Sequence, residues 1–440
     1  MGAQDHARTR PGRIASGEIG GTWSHCHTFG AHELLLPSTI EQLQEVVATG
    51  RQVRALGTRH SFNDVADTPG TLVNLGGLPE RFELDDDAGT VTVSGGSTYA
   101  MVARKLRSTR WALRNMGSLP HISVAGAAST GTHGSGITHP NLSNAVRAIE
   151  VVEADGTLTR FTREGPQFPG RVLSLGALGV VTAVTLDLVP DFEVRQDVWF
   201  GLPWSTLLED LEEIMAASYS VSVMPDWSSR DVAGKVWFKS RTEDGGPPLE
   251  PADHGARWAA VVEGQDPEGQ NPNHTVQGGV PGPWWDRLPH FRPDAEPSRG
   301  NEIQTEYFID RARGAEALNR LRAIAHRFAD LVLVSELRTV AADALWLSPS
   351  HDRDSLAIHM TWRNDPAAVL KVLPLVEGAL APFDPRTHWG KWFTLDGELV
   401  RSQYPRLDDF RSLAGEADPT GKFHNDFLRR TLGFGGPAGR

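Results

Sequence analysis

Five stretches of this chain hold side chains whose type and spacing can do chemistry. Arg54-Ala-Leu-Gly-Thr-Arg-His-Ser61 reads as a strand running into a glycine-containing turn. Backbone N–H groups exposed in such a turn can cradle phosphate oxygens, although a plain strand-to-loop turn has the same look. It matches neither G-x-G-x-x-G nor the P-loop, so no Rossmann or Walker assignment is available. Residues Met116 to Gly136 read MGSLPHISVAGAASTGTHGSG. Gly117, Gly126, Gly131, Gly134 and Gly136 let backbone approach a flat or charged ligand, while Ser118, Ser123, Ser129, Thr130 and Thr132 supply neutral donors. A surface loop without a ligand is the competing reading, but two such strand-linked segments favour a large phosphate-bearing cofactor. In Ser335-Glu-Leu-Arg-Thr339, strand alternation puts Glu336 and Arg338 on one face. Together they form an acceptor and a donor able to clamp vicinal hydroxyls, or simply a solvated ion pair. His359 and Thr361 share a face in the same way. His388-Trp-Gly-Lys391 sets a lysine among aromatics. Partly buried there, its ammonium can stabilise negative charge on a substrate alkoxide; the alternative lays its stem along Trp392 with the head in water.

These residues need a scaffold, and the chain is long enough for one. Its 440 residues exceed a single ordinary core, so two domains are expected. Ile40, Leu43, Val46 and Val47 line one face of a helix that opens at a Ser38-to-Glu41 capping box and ends at Gly50. Strands are expected at Val53–Leu56, Thr71–Leu75 and Val91–Ser94, with a helix over Tyr99–Arg107. Met116 to Gly136 breaks every regular period and reads as loop. A hairpin turning at Asp155-Gly156 follows, then a strand over Val180–Val189. In the second half, strands at Val194–Phe200 and Val232–Lys239 bracket a helix near Thr206–Ala217. Residues 241–300 read as long loops rich in Pro, Gly, Asp and Asn. A helix over Ala315–Ala329 then leads to strands at Leu331–Val340 and Leu356–Trp362. A net charge of −12 and a pI near 5.7 argue against nucleic-acid or anionic-membrane partners. No run of about 18 apolar residues suggests a membrane span. The polar N-terminus lacks the apolar core of a secretory signal. One cysteine, Cys26, rules out an internal disulfide framework. No carboxylate accompanies His133 and His139 at metal-ligand spacing, so no metal is expected. A cytoplasmic monomer is the expectation.

G-T-R-H-S, then N-x-G-S-L-P-H-I-S-V-A-G, then T-G-T-H-G-S-G resemble the vanillyl-alcohol-oxidase-type family of FAD-linked oxidases, over about Thr22 to Leu432. Within that family the likeness is greatest to the alditol oxidases, with the aldonolactone oxidases next. The resemblance implies an α+β, two-domain FAD-binding (PCMH-type) flavoprotein with an α/β substrate cap. Its expected parts are a flexible tail (1–26), an FAD-binding domain (27–193), a cap (194–395) and a C-terminal segment returning to the FAD domain (396–440). It implies that Ala55, Leu56, Gly57, Thr58, Arg59, His60 and Ser61 hold the pyrophosphate, with His60 covalently bonded to the flavin 8α carbon. Ser118, Ser123, Gly126, Thr130, Gly131, Thr132, His133 and Val181 would line the FAD, with His388 near the flavin. Bicovalent relatives carry a flavin-linked cysteine in the second glycine-rich region; none is present here, which implies a single histidyl link. Substrate contacts would come from Ser118, Glu336, Arg338, Thr361 and Lys391, with Arg338, Lys391 and Glu336 catalytic. The implied reaction oxidises the terminal hydroxyl of an alditol such as xylitol or sorbitol with dioxygen, giving the aldose and hydrogen peroxide. Oxidase behaviour is tied to Gly117, where a missing side chain leaves oxygen a path. The alternatives are an aldonolactone oxidase on the same fold, and a flavin- or sugar-binding module without turnover. The Glu336/Arg338/Lys391 set disfavours the module.

Overall fold

The structure is a computed structural model that describes residues 10–258, 273–295 and 300–435. Its N-terminal half holds two sheets. The first contains β1 (Gly12–Ala15), β2 (Glu33–Leu36), β3 (Val53–Ala55) and β4 (Thr71–Val73) in the order β1-β2-β4-β3. Strand β4 runs parallel to both β2 and β3, with α1 (Ile40–Thr49) crossing between β2 and β3. Leu43 and Val47 bury the inner face of α1. Its cap sits one residue later than the sequence suggests: Thr39 accepts from the Gln42 N–H, and the Ser38 N–H turns to Gln42 Oε1 at 2.8 Å.

Residues 1–26 were expected to be a flexible tail; 1–9 lie outside the described residues, and 10–26 are tied down. β1 pairs along all of β2, Arg13 Nε donates to Glu33 Oε2 at 2.6 Å, and Ile14 packs beside Ile19 and Leu34. The apolar residues are too sparse to show a period, so the sequence hid the strand.

The second sheet is antiparallel, with β5 (Phe82–Asp85), β6 (Thr90–Ser94), β7 (Val146–Val152), β8 (Leu158–Thr162) and β9 (Val180–Asp187) in the order β5-β6-β9-β7-β8. Helix α2 (Tyr99–Leu106) packs Val102 and Leu106 into its core. The segment expected to be loop contains a seven-residue helix, α3 (Val124–Thr130), closed by Gly131 in the left-handed region at φ 70°. Alanines at positions 125, 127 and 128 favour the helix; the flanking glycines disguised it.

The second half is built on one large antiparallel sheet. Its long strands are β10 (Glu193–Pro203), β11 (Ser220–Pro225), β12 (Val232–Arg241), β13 (Glu302–Asp310), β14 (Val332–Val340) and β15 (Ser355–Arg363), ordered β10-β12-β11-β14-β15-β13. Helices cover one face. The helix expected near Thr206–Ala217 is two short ones, α4 (Trp204–Glu209) and α5 (Leu211–Ala216), broken at Asp210. Helix α6 (Gly314–Ile324) stops short of Ala329 in 3-10 turns, and α7 (Pro366–Leu380), which sequence reading overlooked, completes the layer. With its 3-10 extension α7 is long and apolar enough to cross a bilayer by length and composition. Here Val369, Leu373, Val376 and Leu380 pack into the same core as Leu318 and Leu321 of α6.

Alternation divides this sheet cleanly. Leu337, Ile358, Met360, Ile303 and Tyr307 face the helices and are fully buried. The intervening residues Glu336, Arg338, His359, Thr361, Gln304 and Glu306 face the other way, towards the N-terminal half. The C-terminal segment reaches back to that half: Lys422 Nζ donates to the Val47 and Ala154 carbonyls at 2.6 Å, and Phe423 is buried beside Leu43.

Candidate active site

A cavity of about 780 Å³ lies between the glycine-rich loops of the N-terminal half and the polar face of the large sheet. That is within the roughly 300–1,000 Å³ of small-molecule and cofactor sites. Each residue from Ala55 to Ser61 lines it, as do Ser118, Ser123, Gly126, Thr130, Thr132, His133, Val181, Glu336, Arg338, Thr361, His388 and Lys391. Gly131 does not. Its missing side chain faces Leu173 and Pro349, and the residue serves as the left-handed end of α3.

The two glycine-bearing segments, far apart in sequence, close on one residue. A Cβ at Gly57 or at Gly126 would stand 2.6 Å from Ser123 Oγ, so neither position tolerates a side chain without displacement. The Ser123 N–H also donates to Thr58 Oγ1 at 3.2 Å. Between them, Arg59 adopts φ 66°, a conformation that costs a non-glycine residue about 1–2 kcal/mol. The N-terminal segment holds it there: the Trp23 N–H donates to the Arg59 carbonyl at 2.8 Å, and Arg59 Nη1 donates to the Ile19 carbonyl at 2.5 Å.

That strained turn presents His60. Among the described residues its two buried ring nitrogens have no well-aligned hydrogen-bond partner, although the Thr58 main chain lies near, and burial pulls its pKa down to about 4. The imidazole is therefore neutral at pH 7, with a lone pair free. The Trp23 ring lies 5.3 Å from it, centroid to centroid. Buried nitrogens without such a partner are rare unless a ligand completes them. Together with glycines that close on the Ser123 hydroxyl and a cavity of cofactor size, they make these residues a fit for FAD. Ala55–Ser61 and the stretch from Ser118 to His133 would hold it.

The opposite wall is a charged row. Glu336 on β14, His359 on β15 and Glu306 on β13 are in register across three strands. Arg338 grips Glu336 with Nε to Oε1 at 2.7 Å and Nη2 to Oε2 at 2.6 Å, and Nη2 also donates to Ser118 Oγ. Burial opposes the charge on both partners. Their mutual attraction outweighs it, holding the Glu336 carboxyl below and the Arg338 guanidinium above their ordinary values. A guanidinium has five N–H donors, and these bonds use the three on Nε and Nη2. Among the described residues Nη1 has no acceptor, which leaves two donors for a ligand. Thr361, opposite Gln304 in register, adds a hydroxyl.

Lys391 enters from the loop after Thr387. Its main chain is gripped by the N-terminal half: Asn63 Nδ2 donates to the Lys391 carbonyl at 2.8 Å and the Phe62 N–H to the Gly390 carbonyl at 2.7 Å. Its Nζ bonds Glu306 Oε2 at 2.7 Å, so the lysine head is not simply in water along Trp392. His388 Nδ1 accepts from the Gly390 N–H at 3.1 Å, which assigns its proton to Nε2; burial and then Lys391 hold it neutral.

Sequence reading missed Trp23, Asn63, Gln304, Glu306 and His290, all of which line the cavity. Glu306 had a legible signal, since Glu302-Ile-Gln-Thr-Glu-Tyr-Phe-Ile-Asp310 alternates as a strand should. It follows the Pro/Gly-rich region and carries carboxylates on its inward face, which reads as surface. His290 belongs to that irregular region, where no period exists to read; its Nε2 lies 3.5 Å from Glu336 Oε1.

Comparison with known proteins agrees with this arrangement. Residues 31–162 match a family described as FAD binding domain, and residues 299–431 match D-arabinono-1,4-lactone oxidase. An alditol oxidase from Streptomyces sp. is 47% identical over 413 residues, covering 93% of this chain and 98% of that protein. An L-gulono-1,4-lactone dehydrogenase from Mycobacterium tuberculosis is 29% identical, covering 91% and 96%. Among solved structures, cholesterol oxidase from B. sterolicum superposes with a TM-score of 0.73 at 16% identity, covering 96% and 97%. That likeness shows a shared fold.

Proposed function

The chain belongs to the vanillyl-alcohol-oxidase-type family of FAD-linked oxidases, and on that premise we propose that it oxidises the terminal hydroxyl of an alditol such as xylitol or sorbitol. The observation that carries this reading is the wall of Glu336, Arg338, Ser118, Thr361 and Lys391 across the cavity from His60. A polyol offers each hydroxyl as both donor and acceptor. Glu336 retains lone pairs beyond those taken by Arg338 and accepts from one hydroxyl; Arg338 Nη1 donates to its neighbour. Thr361 and Ser118 orient the chain. Lys391 donates to the reacting oxygen and stabilises negative charge on it as its proton passes to water. Holding several hydroxyls at once is what places the reacting carbon. When bound, FAD supplies the two-electron acceptor for that carbon and passes the electrons to dioxygen, yielding hydrogen peroxide.

His60 is proposed as the covalent attachment point, supported by its neutral imidazole on the cavity wall. Protein precipitated in acid should retain its yellow colour, and His60→Ala should lose it to the supernatant. The lactone-oxidase match over residues 299–431 makes an aldonolactone the second reading. Assays in air with xylitol, sorbitol and gulonolactone, read by peroxide, separate the two. Turnover confined to the lactone would overturn the alditol assignment.

A further inference from the structure

One carboxylate at the cavity wall has no role in the reaction described above. Glu306 is 3% exposed, and a buried carboxylate is costly unless it is paired. Its two oxygens divide their work: Oε2 takes Lys391 Nζ at 2.7 Å, and Oε1 lies 3.2 Å from His133 Nε2. His133 Nδ1 is fixed in turn by the Gly134 carbonyl at 2.8 Å. The Glu306 carbonyl also accepts from the His388 N–H at 3.1 Å, so strand β13 grips the lysine loop by main chain as well as side chain.

Among the described residues, every other ionisable group around Lys391 is engaged elsewhere, held neutral or of the wrong sign. Glu336 on β14 is held bidentate by Arg338, whose own positive charge opposes a second cation. His359 on β15 and His388 on the loop are held neutral by burial first. Glu302, at the other end of the same face of β13, accepts from Gln304 Nε2 at 2.7 Å, and its charge is disfavoured by burial. That leaves Glu306 as the counter-charge in contact.

We propose that Glu306 is a positioning residue for the alditol reaction: it holds the Lys391 ammonium at the substrate wall and, through His133, links that charge to the glycine-rich loop. The assignment rests on the reading of Lys391 as the group at the reacting hydroxyl. Burial lowers the Lys391 pKa and Glu306 opposes the fall, while burial of Glu306 is outweighed by Lys391 and then His133, which hold its carboxyl well below the ordinary range. Removing the negative charge therefore leaves a lysine whose amine form wins at lower pH.

The test uses the purified flavoprotein with lysine labelled at ¹³Cε. There are six lysines, at positions 105, 235, 239, 371, 391 and 422, and the Lys391 signal is the one lost in Lys391→Arg. Titrated without polyol, Glu306→Gln should bring the Lys391 transition down by about one pH unit or more, a tenfold change in its protonation equilibrium. The alkaline limb of kcat/KM for xylitol should move to lower pH by the same amount, so activity recovers on acidification. Glu306→Asp, which keeps the charge, should restore part of both shifts and serves if Glu306→Gln does not fold. A Lys391 transition unmoved by Glu306→Gln, or activity lost equally at every pH, would overturn the assignment. A protein whose Lys391 titrates as expected but oxidises no polyol would count against the proposed function and leave Glu306 only as the counter-charge that holds Lys391.

Discussion

A Cβ built on Gly117 would meet the His133 carbonyl and Thr132 Cγ2 at 3.6 Å, ordinary van der Waals contact. Crowding therefore does not demand glycine there, whereas a Cβ at Gly57 would press on the Ser123 hydroxyl. Room for a small molecule beside Ser118 is consistent with oxygen access, which is the part of the oxidase reading carried by this residue. Gly117→Val should fold but fill that room. After anaerobic bleaching with xylitol, its colour should return in air about tenfold more slowly, roughly 1.4 kcal/mol on that barrier, while bleaching itself changes less. Equal recovery rates would remove Gly117 from the account. At this scale the sequence was informative wherever partners lie two residues apart: Glu336 and Arg338 follow from strand alternation alone. Lys391 and Glu306 are 85 residues apart, and no local pattern joins them.

Elements decide whether the cofactor cradle exists. The strand-to-turn at Val53–Ser61 was legible from Val-Arg-Ala-Leu followed by glycine, and the glycine-rich stretch from Met116 to Gly136 from its composition. Their junction was not, because it depends on Ser123 fitting between Gly57 and Gly126. Gly57→Ala puts a methyl carbon into that contact, so Ser123 or the turn must move. Ser123 Oγ can turn away at small cost, but the turn also carries the strained Arg59, so the expected result is a folded protein with a normal far-ultraviolet circular dichroism spectrum and reduced flavin content, read from the ratio of absorbance at 450 to 280 nm. Full flavin content would show that the cradle tolerates the displacement. Helix α3 escaped notice because Gly126 and the flanking glycines hide its apolar period, whereas strands β11 and β13 do alternate but carry serine or carboxylate on one face and so read as surface.

Across the described residues several histidines are buried and held neutral, among them His139 in the core and His359 at the cavity. Burial pulls His139 down to about 4 and His359 to about 3. Their folded pKa values lie below the unfolded value of 6.5, so the unfolded chain takes up protons first as pH falls. The stability they contribute is complete above about 6.5 and is lost on acidification towards their folded values. By pH 5 the loss is on the order of 2 kcal/mol for each. The thermal midpoint should fall between pH 7 and pH 5, and His139→Asn should make it less dependent on pH. A midpoint that holds steady across that range would contradict the burial argument.

Motif and alternation determined the site's chemical parts, because both are local: a turn that can face phosphates, an imidazole within it, a carboxylate and guanidinium on one strand face, and a lysine among aromatics. The α+β class followed from the mixed periods. Tertiary structure alone decided that the N-terminal segment braces Arg59 and contributes Trp23, that Gly131 ends a helix instead of lining the cavity, and that Glu306 meets Lys391 and His133. Each of those contacts joins residues distant in sequence across an interior where an unpaired charge or a misplaced Cβ is costly, and that cost is set by the packing of the fold rather than by any neighbour along the chain.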